Sequence, residues 1–241
     1  MPFTALISDL HLTAGRPAIN RVFFSFLEGP AREADALYIL GDLFDYWAGD
    51  DDLSDPLNAQ VAGAIKGLTT AGVPVLIMHG NRDFLLFDGF LRATGSRLIE
   101  DPTIVDLYGT RTLLMHGDTL CTDDRRYQAF RRRVRRRLWQ RLFLVQPLWL
   151  RRAELQRARG MSETQKRAKP ESIMDVTPAA VGQAFRDSGA ARLIHGHTHR
   201  PARHLHRVDS RDYERWVLSD WYERGRYLRV SPDGWSSVDL S

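Results

Sequence analysis

Ala5-Leu6-Ile7-Ser8-Asp9-Leu10-His11 (residues 5–11) and Leu37-Tyr38-Ile39-Leu40-Gly41-Asp42 (residues 37–42) carry the reading of this chain. Each is a short apolar run that ends directly on side chains able to bind a metal. The pattern recurs at Val73–Met78, which leads to His79-Gly80-Asn81-Arg82-Asp83. It recurs at Thr112–Met115 before His116-Gly117-Asp118, and at Leu193-Ile194 before His195-Gly196-His197-Thr198-His199. Between these strands, Val22, Phe23, Phe26 and Leu27 fall at helix spacing, as do Val61, Ile65 and Leu68. Pro56 suits a helix start, and Gly72 before Val73-Pro74 suits a stop. The alternation predicts an α/β sheet covered by helices. The carboxyl ends of strands in such a sheet share one edge, so residues far apart in sequence converge there.

From His204 onward the pattern changes. His204–Val208, Arg215–Leu218, Tyr227–Val230 and Ser236–Val238 read as short strands separated by the turn signals Asp209-Ser210 and Pro232-Asp233-Gly234. They predict an antiparallel edge.

The 241 residues are 43% hydrophobic and 27% charged, a globular balance that argues against a disordered chain, a collagen-like repeat or a coiled-coil rod. No apolar run approaches the roughly 20 residues of a membrane span. The longest, Leu142–Leu150, is interrupted by Gln146. The opening MPFTALISDLH lacks the basic segment and cleavage site of a signal peptide. A single cysteine, Cys121, excludes an intramolecular disulfide framework, and a reducing, cytoplasmic setting is expected.

The net charge of +4 conceals an uneven distribution. Arg125–Lys169 holds sixteen Lys/Arg against two acids, Glu154 and Glu163, a net +14; the rest holds eighteen against twenty-eight, a net −10. Such asymmetry points to an anionic partner: nucleic acid, an anionic membrane surface or a multiply anionic substrate. Within the basic segment Tyr127, Phe130, Val134, Leu138, Leu142 and Val145 fall at steps of three and four. They predict one apolar stripe on an arginine-covered helix, widened by Trp139 and Phe143, broken at Pro147 and continued by Leu148-Trp149-Leu150. A basic amphipathic helix carrying Trp, Phe and Leu suits a membrane interface. A helical hairpin packing its stripe on itself or on the body fits the same residues.

The candidate ligands are Asp9, His11, Asp42, Asn81, His116, His197 and His199. One metal would leave several of these groups in excess and costly to bury. Two metals can use them all, particularly with one bridging aspartate. A mixed N/O set without thiolate suits Mn²⁺, Fe²⁺ or Zn²⁺. Two such ions can clamp a hydroxide and support in-line attack on phosphorus, so the set points to hydrolysis of a phosphate ester or anhydride. Singly each motif is a turn, a cap or a polar loop; the five together, each after a strand, are not.

In this order the motifs resemble the calcineurin-like metallophosphoesterase superfamily. ILGDLF (39–44), HGNRDFL (79–85), HGDTLCTDD (116–124), IMDV (173–176) and HGHTHRP (195–201) narrow the resemblance to its lipid A branch and extend it over nearly the whole chain. The resemblance implies a four-layer αββα sandwich, residues 1–123 and 171–241, with a basic amphipathic helical lid inserted at 124–170. It implies two Mn²⁺ ions, one held by Asp9, His11, Asp42 and His199, the other by Asp42, Asn81, His116 and His197, with Asp42 bridging. The implied reaction cleaves the pyrophosphate of UDP-2,3-diacylglucosamine at the α-phosphorus, giving UMP and 2,3-diacylglucosamine 1-phosphate (lipid X). Asn81, Arg82 and His116 are its expected catalytic residues. Asn81, Arg82, Asp124, Ser162, Lys166, Lys169 and His197 are its expected substrate contacts.

Many superfamily members carry a histidine where this chain has Arg82. Arginine stays protonated, so it cannot act as an ordinary acid, but it can hold a pyrophosphate and stabilise developing charge. A phosphate leaving group needs less proton assistance than an alkoxide, so Arg82 fits diphosphate cleavage. The expected location is peripheral, on the cytoplasmic face of the inner membrane. There surplus arginines would meet anionic headgroups, and Leu142, Phe143, Trp149 and Leu150 would line an acyl cleft or touch the bilayer. No nucleic acid and no obligate protein partner is expected. A soluble nucleotide phosphodiesterase is the rival reading within the superfamily, and a nucleic-acid-binding protein the rival outside it. His79 and His195 read as hydrogen-bonding supports, Asp83 and Asp118 as loop-orienting groups, Cys121 as a packed small residue, and Asp50–Asp52 as a solvated loop.

Overall fold

β1 (Thr4–Ile7) is buried at all four of its positions, which requires cover on both faces. A computed structural model describes residues 1–168 and 171–240, the side chains of 161–168, 171 and 172 excepted. In it β1 runs parallel to β2 (Ala36–Ile39), β2 to β3 (Val75–Met78), and β3 to β4 (Arg97–Ile99). β10 (Gly225–Ser231) and β11 (Gly234–Leu240) add antiparallel strands on the other side, giving the order β11-β10-β1-β2-β3-β4. A second sheet is built from β5 (Thr103–Leu107), β6 (Thr110–Leu114), β7 (Arg192–His195), β8 (Ala202–Val208) and β9 (Arg211–Val217), in the order β5-β6-β7-β9-β8. There β6, β7 and β9 are mutually parallel, while β5 and β8 are antiparallel edges. The strands after His204 are thus divided between the sheets rather than forming one edge.

Alternating side chains decide the layers. Ala5 and Ile7 face α1 (Pro17–Glu28) and α2 (Pro56–Thr70), meeting Phe23, Phe26, Val61 and Ile65 in one buried cluster. Leu6 faces the other way, onto Leu114 and Ile194 of the second sheet, with Met78 and Val230 in the same seam. On the far side α7 (Pro178–Ser188) sets Val181 and Phe185 against Leu113 and Leu193. Each fully buried Leu, Ile or Phe contributes about 1.5–3 kcal/mol. The result is helix, sheet, sheet, helix, with the ends of β1, β2, β3, β6 and β7 at a common edge. Helix starts follow local chemistry: Asp55 caps α2 by accepting from the Leu57 N–H at 2.9 Å, and Pro56 and Pro178 occupy first-turn positions.

Between β6 and α7 lie α4 (Arg125–Val134), α5 (Arg137–Leu144) and α6 (Leu148–Ala168); α3 (Asp88–Thr94) precedes β4. The single helix expected over Tyr127–Val145 is two. Arg136 is extended (φ −70°, ψ 128°), and Arg135 turns inward, donating to the Gly80 carbonyl at 2.7 Å and lying over the Phe84 ring. The bend brings Val134, Trp139 and Phe143 onto the body's core, where Trp139 and Phe143 stack at 5.0 Å. Phe143 is therefore removed from any bilayer-facing surface. Leu150 is half-buried, while Leu142 and Trp149 remain exposed.

The acidic stretch Asp50–Asp52 is not a solvated loop but the dock for α6. Buried Arg151 donates to the Ala48 carbonyl and pairs with Asp51, Arg152 pairs with buried Asp52 at 2.6 Å, and Arg159 pairs with buried Asp45 at 2.7 Å. Asp50 accepts from the Phe87 N–H at 3.0 Å and the Gly89 N–H at 2.6 Å. Replacing Arg151 with Met leaves the Ala48 carbonyl unsatisfied. Arg151→Met should cost about 2 kcal/mol, read as a lower urea midpoint with unchanged slope. Arg157→Met, at an exposed position of the same helix, should stay within about 0.5 kcal/mol.

Candidate metal centre

Asp9, His11, Asp42, His197 and His199 leave their strands with positive φ, at 55°, 48°, 55°, 66° and 55°. For residues with a side chain this region costs about 1–3 kcal/mol and persists only where the surroundings enforce it. The turns fold these side chains back over the common edge. A Cβ on Gly41 would lie 2.5 Å from the Gly80 Cα and 2.7 Å from His116 Nδ1, and one on Gly80 would overlap the Asp42 carboxylate. Both positions therefore require glycine. Asp83 ties the loops together: its Oδ1 accepts from the Gly80 N–H at 2.8 Å and its Oδ2 from the Leu43 N–H at 2.8 Å. That is the loop-orienting role its sequence position suggests.

Two ligand clusters meet at Asp42. In one, Asp9 Oδ1 lies 3.4 Å from His199 Nε2, which lies 3.5 Å from His11 Nε2. In the other, Asn81 Oδ1 lies 3.1 Å from His116 Nε2 and 3.0 Å from His197 Nδ1. Asp42 presents Oδ2 to His11 at 3.8 Å and Oδ1 to His116 at 3.9 Å. Asp9, His11 and His199 converge tightly enough to hold one ion, as do Asp9, Asp42 and His116. All seven ligand residues expected from the sequence are thus brought together, with Asp9 nearer the second cluster than the resemblance implied.

The donor set fits a cation. His116 sets its Nδ1 at 2.9 Å from the Leu40 carbonyl, so Nδ1–H donates there, and an unprotonated Nε2 would turn its lone pair on Asn81 Oδ1. Two acceptors face each other, which only a proton or a cation reconciles. Asp9 Oδ1 is buried and accepts no hydrogen bond among the described residues, although its Oδ2 accepts from Ser8 Oγ at 2.6 Å and the His197 N–H at 2.8 Å. Without a metal, burial lifts the Asp42 carboxyl to about 7, against the lowering effect of His116. Burial opposes protonation of His116, yet Asp42, Asp118, Asp9 and Asp101 raise it to about 9. Asp9 is held well below the carboxylate range despite its desolvation, by His199 above all. Protons and charges crowd a site that divalent cations would neutralise.

The supports extend outward. His79 is hydrogen-bonded to the Leu86 carbonyl at 2.6 Å and His195 to the Gly196 carbonyl at 2.8 Å, as their surplus to the ligand count suggests. Asp118 accepts from Tyr127 Oη at 2.5 Å and Arg131 Nε at 2.7 Å. Cys121 is buried, and burial pushes its thiol up to about 12, in keeping with a packed small residue. Arg82 is half-buried beside the centre, its N–H on Asp42 Oδ1 at 2.8 Å. Asp124 caps α4 through the Tyr127 N–H at 3.0 Å, and the Tyr127 ring lies 5.8 Å from that of His197. Lys169 and the side chains of Ser162 and Lys166 lie outside the described part of the structure.

Sequence reasoning missed the loop after β9. Asp220 Oδ2 lies 3.2 Å from His199 Nδ1, and the Tyr222 ring sits 5.5 Å from His11 and 5.4 Å from His199. Its signal was present: Leu218-Ser219-Asp220 repeats the Ile7-Ser8-Asp9 pattern of a strand running into serine and aspartate.

A family model described as calcineurin-like phosphoesterase matches residues 4–201. The chain belongs to that family. It is a metal-dependent hydrolase with a phosphoesterase domain. It is 52% identical over 223 residues to the UDP-2,3-diacylglucosamine hydrolase of Aromatoleum aromaticum, covering 92% of this chain and 91% of that protein. It is 51% identical over 231 residues to the protein of the same name from Cellvibrio japonicus, covering 96% of each. A solved structure of a hypothetical protein from Pyrococcus horikoshii superposes with a TM-score of 0.51 at 10% identity, covering 100% of this chain and 88% of that one, a likeness of fold.

If Asp220 fixes the tautomer of His199, Asp220→Asn should weaken divalent-metal affinity about ten- to hundred-fold. Calorimetric titration of the metal-stripped protein measures this. Unchanged affinity would remove Asp220 from the centre.

Proposed function

We propose that this chain hydrolyses the pyrophosphate of UDP-2,3-diacylglucosamine at the α-phosphorus, releasing UMP and 2,3-diacylglucosamine 1-phosphate (lipid X) in lipid A biosynthesis. The observation that carries this reading is the identity of 51–52% to relatives named UDP-2,3-diacylglucosamine hydrolase over 92–96% of the chain. The site's chemistry supports it.

Asp9, His11, Asp42 and His199 would hold one divalent ion and Asp42, Asn81, His116 and His197 a second, with Mn²⁺ suited to this N/O set. Bound there, the ions would supply an electrophilic clamp for phosphate oxygens and acidify a water. The chain does the rest. Asp83 fixes the turns from which Asp42 and Asn81 project. Asp42, with its oxygens turned toward His11 and His116, would be shared by the two ions. Arg82 offers a permanent cation to the diphosphate where a histidine acid would stand in other members. Overall, the oxygen of water bonds to the α-phosphorus and the bond to the bridging oxygen breaks; the bridging oxygen leaves on the lipid 1-phosphate. That leaving group is a phosphate, which matches a site whose added side chain is a cation and not an acid.

The segment 124–170 serves in this reading as a lid that meets the lipid. Phe130, Leu138, Leu142, Val145 and Trp149 are 52–79% exposed, a large apolar display for one short segment. Exposed Arg125, Arg126, Arg132, Arg133, Arg136, Arg137, Arg141 and Arg157 surround them. No helix described is long and apolar enough to cross a membrane. The combination supports peripheral attachment at the anionic cytoplasmic face of the inner membrane. Asp124, Ser162, Lys166 and Lys169 are proposed to reach the substrate from this segment. Neither nucleic acid nor an obligate protein partner is needed.

The test supplies metal-stripped protein with Mn²⁺ and UDP-2,3-diacylglucosamine and follows UMP beside a simple aryl phosphodiester. Metal-dependent UMP release favouring the lipid is expected; cleavage of the simple ester alone would return the chain to the nucleotide phosphodiesterase reading. Arg82→Met should lower kcat by about 10²–10³. In a separate measurement, binding to anionic liposomes should fall with salt, and Leu142→Gln or Trp149→Gln should each weaken it about ten-fold. Binding insensitive to both would rule out the membrane face.

A further inference from the structure

The loop carrying His197 and His199 has a second face. Thr198 and Arg200 alternate with the two histidines and, with Asp175, His204 and Arg215, line a separate cavity of about 230 Å³. Arg215, on β9, is only 6% exposed. Its Nε donates to His206 Nε2 at 3.1 Å and its Nη1 to His195 Nε2 at 3.0 Å. His195 gives its Nδ1–H to the Gly196 carbonyl, so its Nε2 is an acceptor and the ring is neutral. His206 is also an acceptor toward Arg215, and its pKa is lowered by burial and by Arg215.

Arg215 therefore has hydrogen-bond partners but no negative one. It forms no ion pair among the described residues, and the one acid lining the cavity, Asp175, pairs with Arg200 at 2.9 Å. A buried cation without a counter-ion is a costly arrangement. Beside it the buried Thr198 hydroxyl has no hydrogen-bond partner among the described residues. Among the described residues, a buried cation in no direct ion pair and a hydroxyl with no hydrogen-bond partner thus belong to residues that line one cavity.

We infer that this cavity is a second anion site, which takes a phosphate-class oxyanion against Arg215 and Thr198, with Arg200 and His204 at its rim. Two sources share that chemistry, free inorganic phosphate and the phosphate of a nucleoside monophosphate. The inference is independent of the lipid substrate proposed above. Asp175 does not oppose it, because Arg200 already neutralises that carboxylate.

Metal-loaded protein titrated with inorganic phosphate by calorimetry tests the site. The metal centre also takes phosphate, so two classes of site are expected. Arg215→Met and Thr198→Val should each weaken one class at least about ten-fold and leave the metal-dependent class in place, which reports an intact centre. Should Arg215→Met not fold, the rim double variant Arg200→Gln/His204→Gln replaces it, with the same selective loss expected. A single metal-dependent class in the wild type, or two unaltered classes in all variants, overturns the inference. A tungstate soak should place the oxyanion within hydrogen-bond distance of Arg215 and Thr198, and tungstate confined to the metal centre overturns it as well. UMP then separates the sources. Displacement of phosphate from the second class identifies a nucleotide phosphate, and competition confined to the metal centre identifies free phosphate.

Discussion

Asp42 is a fully buried carboxylate whose two oxygens face two different histidines, and the edge of the sandwich is organised around tolerating it. Burial first, and then the charges of Asp83 and Asp9, disfavour its ionisation, which His116 and Arg82 only partly offset. Tolerance comes from the backbone. Gly41 and Gly80 approach close enough to enclose the carboxylate, the Arg82 N–H donates to it, and Asp83 locks both turns. Five ligand residues in left-handed conformations are a cost that short, doubly covered strands can sustain, because those strands leave the chain no alternative path. The αββα core is in this sense the machinery that keeps unfavourable polar groups together until cations satisfy them.

A second electrostatic balance holds the basic segment in place. The body's excess of acids and the segment's excess of bases meet where Asp45, Asp51 and Asp52 receive Arg159, Arg151 and Arg152. Two of these carboxylates, Asp45 and Asp52, are buried, so their pairing is shielded from salt more than a surface pair would be. The arginines consumed there leave a different set exposed, interleaved with Leu138, Leu142, Val145 and Trp149. Attachment to the body thus uses arginines other than the exposed ones, so the contact with an anionic surface proposed above would not compete with it.

Much of this was legible in the sequence because the decisive signals are local. A four-residue apolar strand ending on Asp9, Asp42 or His116 can be read without knowing its neighbours, and parallel strands then bring those ends together. Strand pairing was less legible. Nothing local to Arg215–Leu218 or Tyr227–Val230 says that the first joins β7 in parallel while the second pairs antiparallel with β1. The break at Arg135-Arg136 was hidden for the same reason: stripe spacing continues through it, and only the Gly80 carbonyl and the Phe84 ring, both distant in sequence, draw Arg135 out of the helix. Asp51 and Asp52 looked solvated because their arginine partners lie a hundred positions away.

The parallel pairing of β9 with β7 has consequences on both sides of the ligand loop. Because β9 ends at the common edge, the loop that follows delivers Asp220 to His199 and Tyr222 to the rings of His11 and His199. Because strand side chains alternate, Arg215 on that strand faces outward with Tyr213, beneath α7, and reaches His195 and His206. Trp216, the next residue, turns inward to the seam between the sheets. A single strand therefore braces the histidine loop from the metal side and places a buried cation behind it. The loop of His197 and His199 is consequently bounded by groups on two faces, Asp220 and Tyr222 on the metal side and Arg215 behind it.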